Sequence, residues 1–411
     1  MKKILVLANE FPYGYHEQYM ETEEKYYSRF DKVWIAALQL SKKTPSSKRS
    51  LHSRADIIPV WCRSRYFYYI NCLTVLADRN LFKEIFELIR THKFTKGRVI
   101  HLFTYLSRAH YDAREIDKAL KKENKDGCVI YSYRFEYQPY IALLLKKKWG
   151  NRQIIVSRAH GYDLHEERNL INYIPMRNII LNEVDYVFPC SKHGVKYIKD
   201  RYKIGKACVD VRYLGTVDHG EKEFVSHGKT LSIVSCSNVV DVKRIDKIVD
   251  ALSLIEDIPI EWIHYGDGGL LNMLKVYAMN KLHKNVKASF PGNVDNTQLL
   301  NIYSNKDFCF LLNVSSSEGL PVSIMEAMSF GIPCIATDVG GTGEIVKNEH
   351  GILLSKDAAP KEIADAVRAI YSMDEEDYIT LRHNSRKFWK DHFDAENNYR
   401  KFIEEIYSLN L

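Results

Sequence analysis

Short apolar, often β-branched runs alternate along this chain with longer stretches in which apolar residues recur every three or four positions. The short runs fall at 4–8, 32–37, 128–133, 153–157, 186–190 and 211–214, then at 231–236, 260–265, 287–290, 308–312, 333–337 and 351–354. Runs of this kind predict strands buried on both faces. Segments such as 243–255, 359–372 and 381–392 carry the helical period between them. Strands alternating with helices of about 10–15 residues predict parallel sheets built from βαβ units, an α/β class.

The alternation breaks over 215–229, GTVDHGEKEFVSHGK, which is polar, contains glycine and has no period. That stretch is expected to be a linker. It separates an N-terminal domain, 1–214, from a C-terminal domain, 230–396, each about the size of one doubly wound sheet with its helices. The last helical stretch, 397–411, is expected to pack back on the first domain. Two such domains leave a cleft facing the carboxyl ends of both sheets, where ligands bind in folds of this kind. The first apolar run stops at Ala8, too short for a signal peptide. No stretch approaches the roughly 18 apolar residues of a spanning helix, so membrane contact is expected to be peripheral.

Composition adds exclusions. A 45% hydrophobic content builds ordinary cores, and a formal charge of +7 over 411 residues suits anionic ligands without marking a nucleic-acid binder. The first strand leads into NEFPYGYH rather than G-x-G-x-x-G, against a nicotinamide dehydrogenase. The 8 cysteines form no C-x-x-C pair and read as reduced core residues of a cytoplasmic protein. Residues 42–65 hold seven cations (Lys42, Lys43, Lys48, Arg49, Arg54, Arg63, Arg65) against Asp56, and the aromatic and aliphatic stretch 66–94 follows. Two readings stand: a solvated loop before core helices, or a surface for an anionic membrane.

The densest chemistry lies in 315–346, SSSEGLPVSIMEAMSFGIPCIATDVGGTGEIV. An apolar strand leads to a polar loop with Glu318, Gly319 and Leu320. Pro321 then opens a helix over 322–330. The start of that helix exposes unpaired N–H groups and a positive dipole end, suited to phosphate. Glu326 lies eight residues beyond Glu318, a rise of about 12 Å in helix, so the two carboxylates can grip opposite ends of a ligand whose anionic centre rests on the helix start. A nucleotide sugar has that shape. Capping and surface acids would give the same pair. At the start of the helix following strand 231–236, Lys243 and Arg244 oppose the helix dipole, which points to a bound anion or to an exposed basic turn.

The string EGLPVSIMEAMSFGIPCIATDVGGTGEIV resembles the signature of family-4 retaining glycosyltransferases, whose GT-B fold is two Rossmann-like domains facing across a cleft. Glu318 and Glu326 match the family's E-x7-E pattern. The resemblance implies that Glu326 binds the nucleotide ribose and that Glu318, with Gly319, Leu320 and Pro321 beside it, meets the donor sugar and diphosphate. Lys243 matches the family lysine on the diphosphate. The usual arginine about five residues earlier is absent, Ser237 and Asn238 standing in that region, so Arg244 is the candidate substitute. WIHYGDGGLL, with Gly266 and Gly268, resembles the family's strand and G-x-G turn. FPGNVDNTQLLNIYS resembles the loop that brackets the nucleobase near Val294. SRAHGYDLHEER resembles the H-G-x-D segment, which puts His160 near the donor sugar or the acceptor and makes Asp163 and Arg168 acceptor candidates.

The loop of Gly14 matches the family's first glycine-containing loop, in the style of capsular or exopolysaccharide (colanic-acid-type) enzymes. Glu17 and Glu21 either face the acceptor or belong to an acid-rich helix start. The resemblance thus implies a retaining, metal-independent hexosyltransferase without a cofactor. It would take a UDP-sugar donor and a glycan or lipid-linked oligosaccharide acceptor in cell-surface polysaccharide synthesis, in the cytoplasm or on the inner face of the membrane. A catalytically silent partner subunit, or a phosphorylase or epimerase on the same scaffold, are the alternatives.

Overall fold

The computed structural model describes residues 1–409 apart from 15, 16, 18, 46, 221, 222 and 227. Parts of the loop after the first strand, of the basic stretch and of the expected linker, and the last two residues of the expected terminal helix, therefore lie outside the described residues. The chain divides into two compact units, Met1–Arg212 with Tyr399–Leu411, and Tyr213–Asn398.

Unit 1 is a parallel sheet of β1 (Lys3–Ala8), β2 (Lys32–Leu40), β3 (Ala55–Trp61), β4 (Cys128–Ser132), β5 (Ile154–Ala159), β6 (Tyr186–Pro189) and β7 (Cys208–Val209). Their order is β3-β2-β1-β4-β5-β6-β7. Every residue of β1 is buried, with Val6 between Ile35 and Tyr131, as a central strand of KILVLA demands. Its helices are α1 (Tyr19–Glu24), α2 (Arg65–Val75), α3 (Arg79–Arg90), α4 (Lys96–Ala119), α5 (Gln138–Lys148), α6 (Arg177–Glu183) and α7 (Lys192–Arg201).

Unit 2 repeats the plan with β8 (Leu231–Cys236), β9 (Ile260–Tyr265), β10 (Val286–Gly292), β11 (Phe310–Asn313), β12 (Cys334–Thr337) and β13 (Gly351–Leu354), ordered β10-β9-β8-β11-β12-β13. Its helices are α8 (Ile245–Leu252), α9 (Leu271–Lys281), α10 (Asn296–Asn305), α11 (Val322–Ser329), α12 (Thr342–Ile345), α13 (Pro360–Tyr371) and α14 (Glu375–Phe393). The amphipathic stretches become helices for local reasons. In α13, Pro360 opens the helix, Glu362 accepts the Ala359 N–H at 2.8 Å, and Ile363, Val367 and Ile370 form the buried stripe. The last helix, α15 (Ala395–Ser408), begins in unit 2 and ends in unit 1, where Phe402, Ile403 and Ile406 are buried with Ile4 and Val6.

In each sheet the winding reverses beside the first strand: between β1 and β4 in unit 1, and between β8 and β11 in unit 2. Loops part at such switch points and leave room for ligands at the carboxyl ends of the strands.

Several expectations need correction. The stretch 55–61, inside the basic segment read as loop or membrane surface, is the edge strand β3; Pro59 is tolerated because the edge leaves one side unpaired. The strand expected at 211–214 is instead β7, which pairs two residues with β6 before the chain leaves the ladder. All 8 cysteines are free, but Cys62 and Cys208 are exposed rather than in the core. The described part of 215–229 is fastened to α14: Thr216 accepts from Trp389 Nε1 at 2.8 Å, and Asp218 pairs with Arg386 and Lys390 at 2.6 and 2.7 Å. Among the described residues, no helix is long and apolar enough to cross a membrane.

Candidate active site

The switch point of unit 2 gathers most of the candidate donor residues. The loop after β8 turns through a short 3-10 helix, Asp241–Lys243, into α8. The loop after β11 leads to α11. Lys243 Nζ reaches across to Glu318 Oε1 at 2.6 Å, with the lysine partly exposed and the carboxylate nearly buried. Asn313, at the end of β11, donates to the same oxygen at 3.4 Å. The two loops are stitched by backbone, Ser316 N–H donating to Val242 O at 2.8 Å, and the loop after β12 joins the second of them, Gly341 N–H donating to Gly319 O at 2.8 Å. Gly340, at φ +58°, lets the loop after β12 lie against the Glu318 carbonyl, which a Cβ would strike. Pro321 caps α11 without a side-chain hydrogen bond, so its first-turn N–H groups stay uncapped.

Arg244 behaves differently from the cation expected of it. It sits at φ 48° and its guanidinium donates to Val314 O at 2.6 Å, Ser315 O at 2.8 Å and Lys356 O at 3.0 Å. In this structure it braces the β11 loop, and Lys243 is the cation beside Glu318.

Glu326 lies in α11, buried, and accepts from Asn296 Nδ2 at 2.7 Å. Burial pushes its carboxyl up to about 7, against the opposing pull of the Asn296 hydrogen bond. Asn296 opens α10, directly after the loop that carries half-buried Val294, so this bond ties the expected nucleobase loop to α11. Gly266, at φ +143°, closes on the Ser237 carbonyl, and Gly268 on Val239. Asn238 lies in the same turn, its carbonyl accepting from Val240 N–H at 3.1 Å. Leu320 is buried beneath the loop. Neither Asn296 nor Asn313 stands out in the sequence, although Asn296 follows Val294 by two residues in FPGNVDNTQLL.

In unit 1, His160 follows β5 directly. Its backbone N–H donates to Asp163 Oδ1 at 2.7 Å and its Nδ1 lies 3.3 Å from Asp163 Oδ2. That carboxylate also accepts the Phe135 N–H at 2.9 Å and is fully buried. Burial alone would raise the Asp163 carboxyl, but the neighbouring His160 charge and hydrogen bond, then Arg134 and the Phe135 N–H, hold it well below the usual carboxylate range. Asp163 therefore orients His160 rather than reaching for an acceptor. His160 Nε2 is buried with no hydrogen-bond partner among the described residues.

Arg168 closes the short 3-10 turn Glu166–Arg168. Gly14, at φ 67°, receives a hydrogen bond from Arg49 Nε at 3.0 Å. Glu17 is buried, its carboxylate accepting the N–H groups of Asn9, Glu10 and Phe11 at 3.0–3.1 Å, with Arg134 Nε 3.4 Å away. Those bonds leave it holding the β1 loop together. Beside it, at the switch point of unit 1, opens a cavity of about 1030 Å³, lined among others by Asn9, Gln39, Arg108, Arg134, Tyr137 and Tyr162. Among the described residues, no three His, Cys, Asp or Glu side chains gather as a metal-binding group.

Residues 220–388 match the family described as Glycosyl transferases group 1. The chain is 30% identical over 356 residues to the uncharacterized glycosyltransferase MJ1178 of Methanocaldococcus jannaschii, covering 81% of this chain and 94% of that protein. It is 26% identical over 273 residues to the GtfA subunit of the UDP-N-acetylglucosamine–peptide N-acetylglucosaminyltransferase of Streptococcus agalactiae, covering 62% of this chain but only half the length of that protein. Among solved structures, Anabaena HepE in complex with UDP-glucose superposes over 99% of both chains with a TM-score of 0.66 at 16% identity. That likeness extends the GT-B fold to the whole chain.

Proposed function

This chain belongs to the group 1 glycosyl transferases, and from that premise we propose that it is a retaining hexosyltransferase of the family-4, colanic-acid type. It takes a UDP-sugar and passes the hexose to a glycan or lipid-linked oligosaccharide in cell-surface polysaccharide synthesis. The observation that carries the reading is the Lys243–Glu318 pair at the start of α11, with Glu326 on the same helix. A diphosphate entering there takes Lys243 and the uncapped N–H groups of α11, and Glu318 is released to the sugar hydroxyls. Glu326 accepts from the ribose hydroxyls, and backbone near Val294 faces the base. In unit 1, His160 Nε2, aimed by Asp163, hydrogen-bonds a hydroxyl of the acceptor. UDP is supported by two similar proteins, one a UDP-N-acetylglucosamine enzyme and one solved with UDP-glucose.

In the reaction the bond from C1 to the diphosphate oxygen breaks and a bond from C1 to the acceptor oxygen forms on the same face. The acceptor proton goes to the departing phosphate, and UDP leaves. The scheme uses no metal and no cofactor. Calorimetry with UDP-, GDP- and ADP-sugars tests the donor, and saturable binding of the UDP-sugar alone is expected. Product anomer by NMR and turnover in EDTA test the chemistry; an inverted product, or activity lost to EDTA, would overturn the scheme. Glu318→Ala is expected to cut transfer by about a hundredfold or more with the circular dichroism spectrum unchanged. Full activity in that variant would remove Glu318 from the catalytic machinery, and a parent chain that binds donor without transferring it would be a silent binding subunit.

A further inference from the structure

Unit 1 carries a surface that this reading does not use. Helix α2 turns one side inward, where Asn71 Nδ2 donates to Ser107 O of α4 at 2.9 Å and Val75 is fully buried. Its other side exposes Tyr66, Tyr69, Ile70, Leu73 and Leu76. Spacings of three and four residues place these in one row. Helix α3 repeats the arrangement, with Leu81, Glu84 and Leu88 inward and Phe82, Phe86 and Ile89 exposed. Ile70 and Leu73 are 71% exposed and Phe86 66%. Scattered apolar residues on a surface need no explanation, but rows on two successive helices mark a surface that meets something.

Charge says what it meets. From 63 to 98 the chain has eight Lys and Arg against three acids. All three acids are already engaged: Asp78 with His110 and Tyr140 at 2.7 and 2.6 Å, Glu84 with Tyr173 at 2.7 Å, and Glu87 with Arg90 at 2.6 Å. Arg79, Lys83, Lys93 and Lys96 are exposed and form no ion pair among the described residues. Two copies of this face would oppose cation to cation, whereas lipid phosphates complement it. The surface also reaches the unit 1 cavity, because Tyr69 and Ile100 are exposed and line it too.

We propose that α2 and α3 seat this protein on an anionic lipid bilayer, and that the adjoining cavity receives a lipid-linked acceptor from that bilayer. The second half rests on the glycosyltransferase reading. Aromatic and aliphatic side chains enter the headgroup–acyl boundary while the cations meet headgroup phosphates.

The test is sedimentation of the full chain with phosphatidylcholine vesicles, with and without phosphatidylglycerol. Phosphatidylglycerol is expected to raise the bound fraction by about tenfold or more, with the gain falling as salt rises. The double variants Ile70→Glu/Leu73→Glu and Phe82→Glu/Phe86→Glu should lose binding to both vesicles, and Lys83→Glu/Lys93→Glu should lose only the preference for phosphatidylglycerol. Circular dichroism of each should match the parent chain. A parent chain that stays in the supernatant, or variants that sediment as it does, would overturn the docking. So would a dimer that Ile70→Glu/Leu73→Glu dissociates without any vesicle binding. For the second half, transfer to a glycan on a lipid in the vesicle should exceed transfer to the same glycan free in solution by about tenfold, and equal rates would refute it. Absent binding of every nucleotide sugar would sink the hexosyltransferase reading and leave the vesicle result standing.

Discussion

Glu326 is a carboxyl whose proton leaves near neutrality, at about 7 instead of 4.5, because burial disfavours its charge. Between those values the folded chain holds a proton that the unfolded chain has lost. Its contribution to stability is therefore full below about 4.5 and fades as pH rises through 7. The whole effect is on the order of 3 kcal/mol, at about 1.4 kcal/mol per unit. Urea midpoints at pH 5 and pH 8 should show the parent chain losing stability relative to Glu326→Gln over that range. Parallel profiles would show that the carboxyl is ionised throughout. Donor affinity should move the opposite way, rising with pH through 7, because ribose hydroxyls donate to the ionised form. The pair Glu318 and Glu326 was legible in the sequence because a long string surrounds it. Asn296 and Asn313 were not, since an asparagine at the start of a helix or the end of a strand has many ordinary uses, and the Asn296 partner depends on how α10 and α11 approach.

At the level of elements, α15 is locked into unit 1 by a charge. Arg158 and Glu23 pair at 2.7 Å with neither side chain exposed, and the guanidinium lies 4.3 Å from the Phe402 ring centre. Removing one partner strands the other in a medium that cannot solvate it, a loss of about 3–5 kcal/mol. Arg158→Ala should show that loss in urea unfolding, and the paired change Arg158→Met/Glu23→Leu should recover most of it. A paired variant no better than the single one would mean that the side chains act by shape alone. Nothing in SRAHG separates Arg158 from a surface arginine. The strands were more legible: 231–236, 260–265 and 351–354 coincide with β8, β9 and β13, since an unbroken apolar run has few other homes. The edge strand β3 is hidden in the sequence because Asp56 and Pro59 break its apolar run. Helices α2 and α3 are apolar on two sides, so periodicity could not say which side the core would take.

On the scale of the molecule, the chain leaves unit 1 after Arg212, builds unit 2, and comes back along α15. A chain ended after Asn398 lacks Phe402, Ile403 and Ile406, each at most 2% exposed. Fully burying such side chains contributes about 1.5–3 kcal/mol apiece. Heating that shortened chain should melt unit 1 well below the parent temperature, followed by near-ultraviolet circular dichroism. An unchanged melting curve would show that the returning helix adds little.

The two sheets wind alike, yet they greet a polyanion differently. After β1, three successive amides converge on one point, a concavity of the sort that draws phosphate in many folds. In this chain Glu17 already fills it, bonded to Asn9, Glu10 and Phe11. A diphosphate arriving there would have to evict a resident carboxylate. After β8 the amides of Ser237 and Val239 are held by the carbonyls of Tyr265 and Asp267, and a cation, Lys243, stands across from Glu318. On the proposed reading, Glu17 thus closes the first sheet's turn to the phosphate that Lys243 receives at the second.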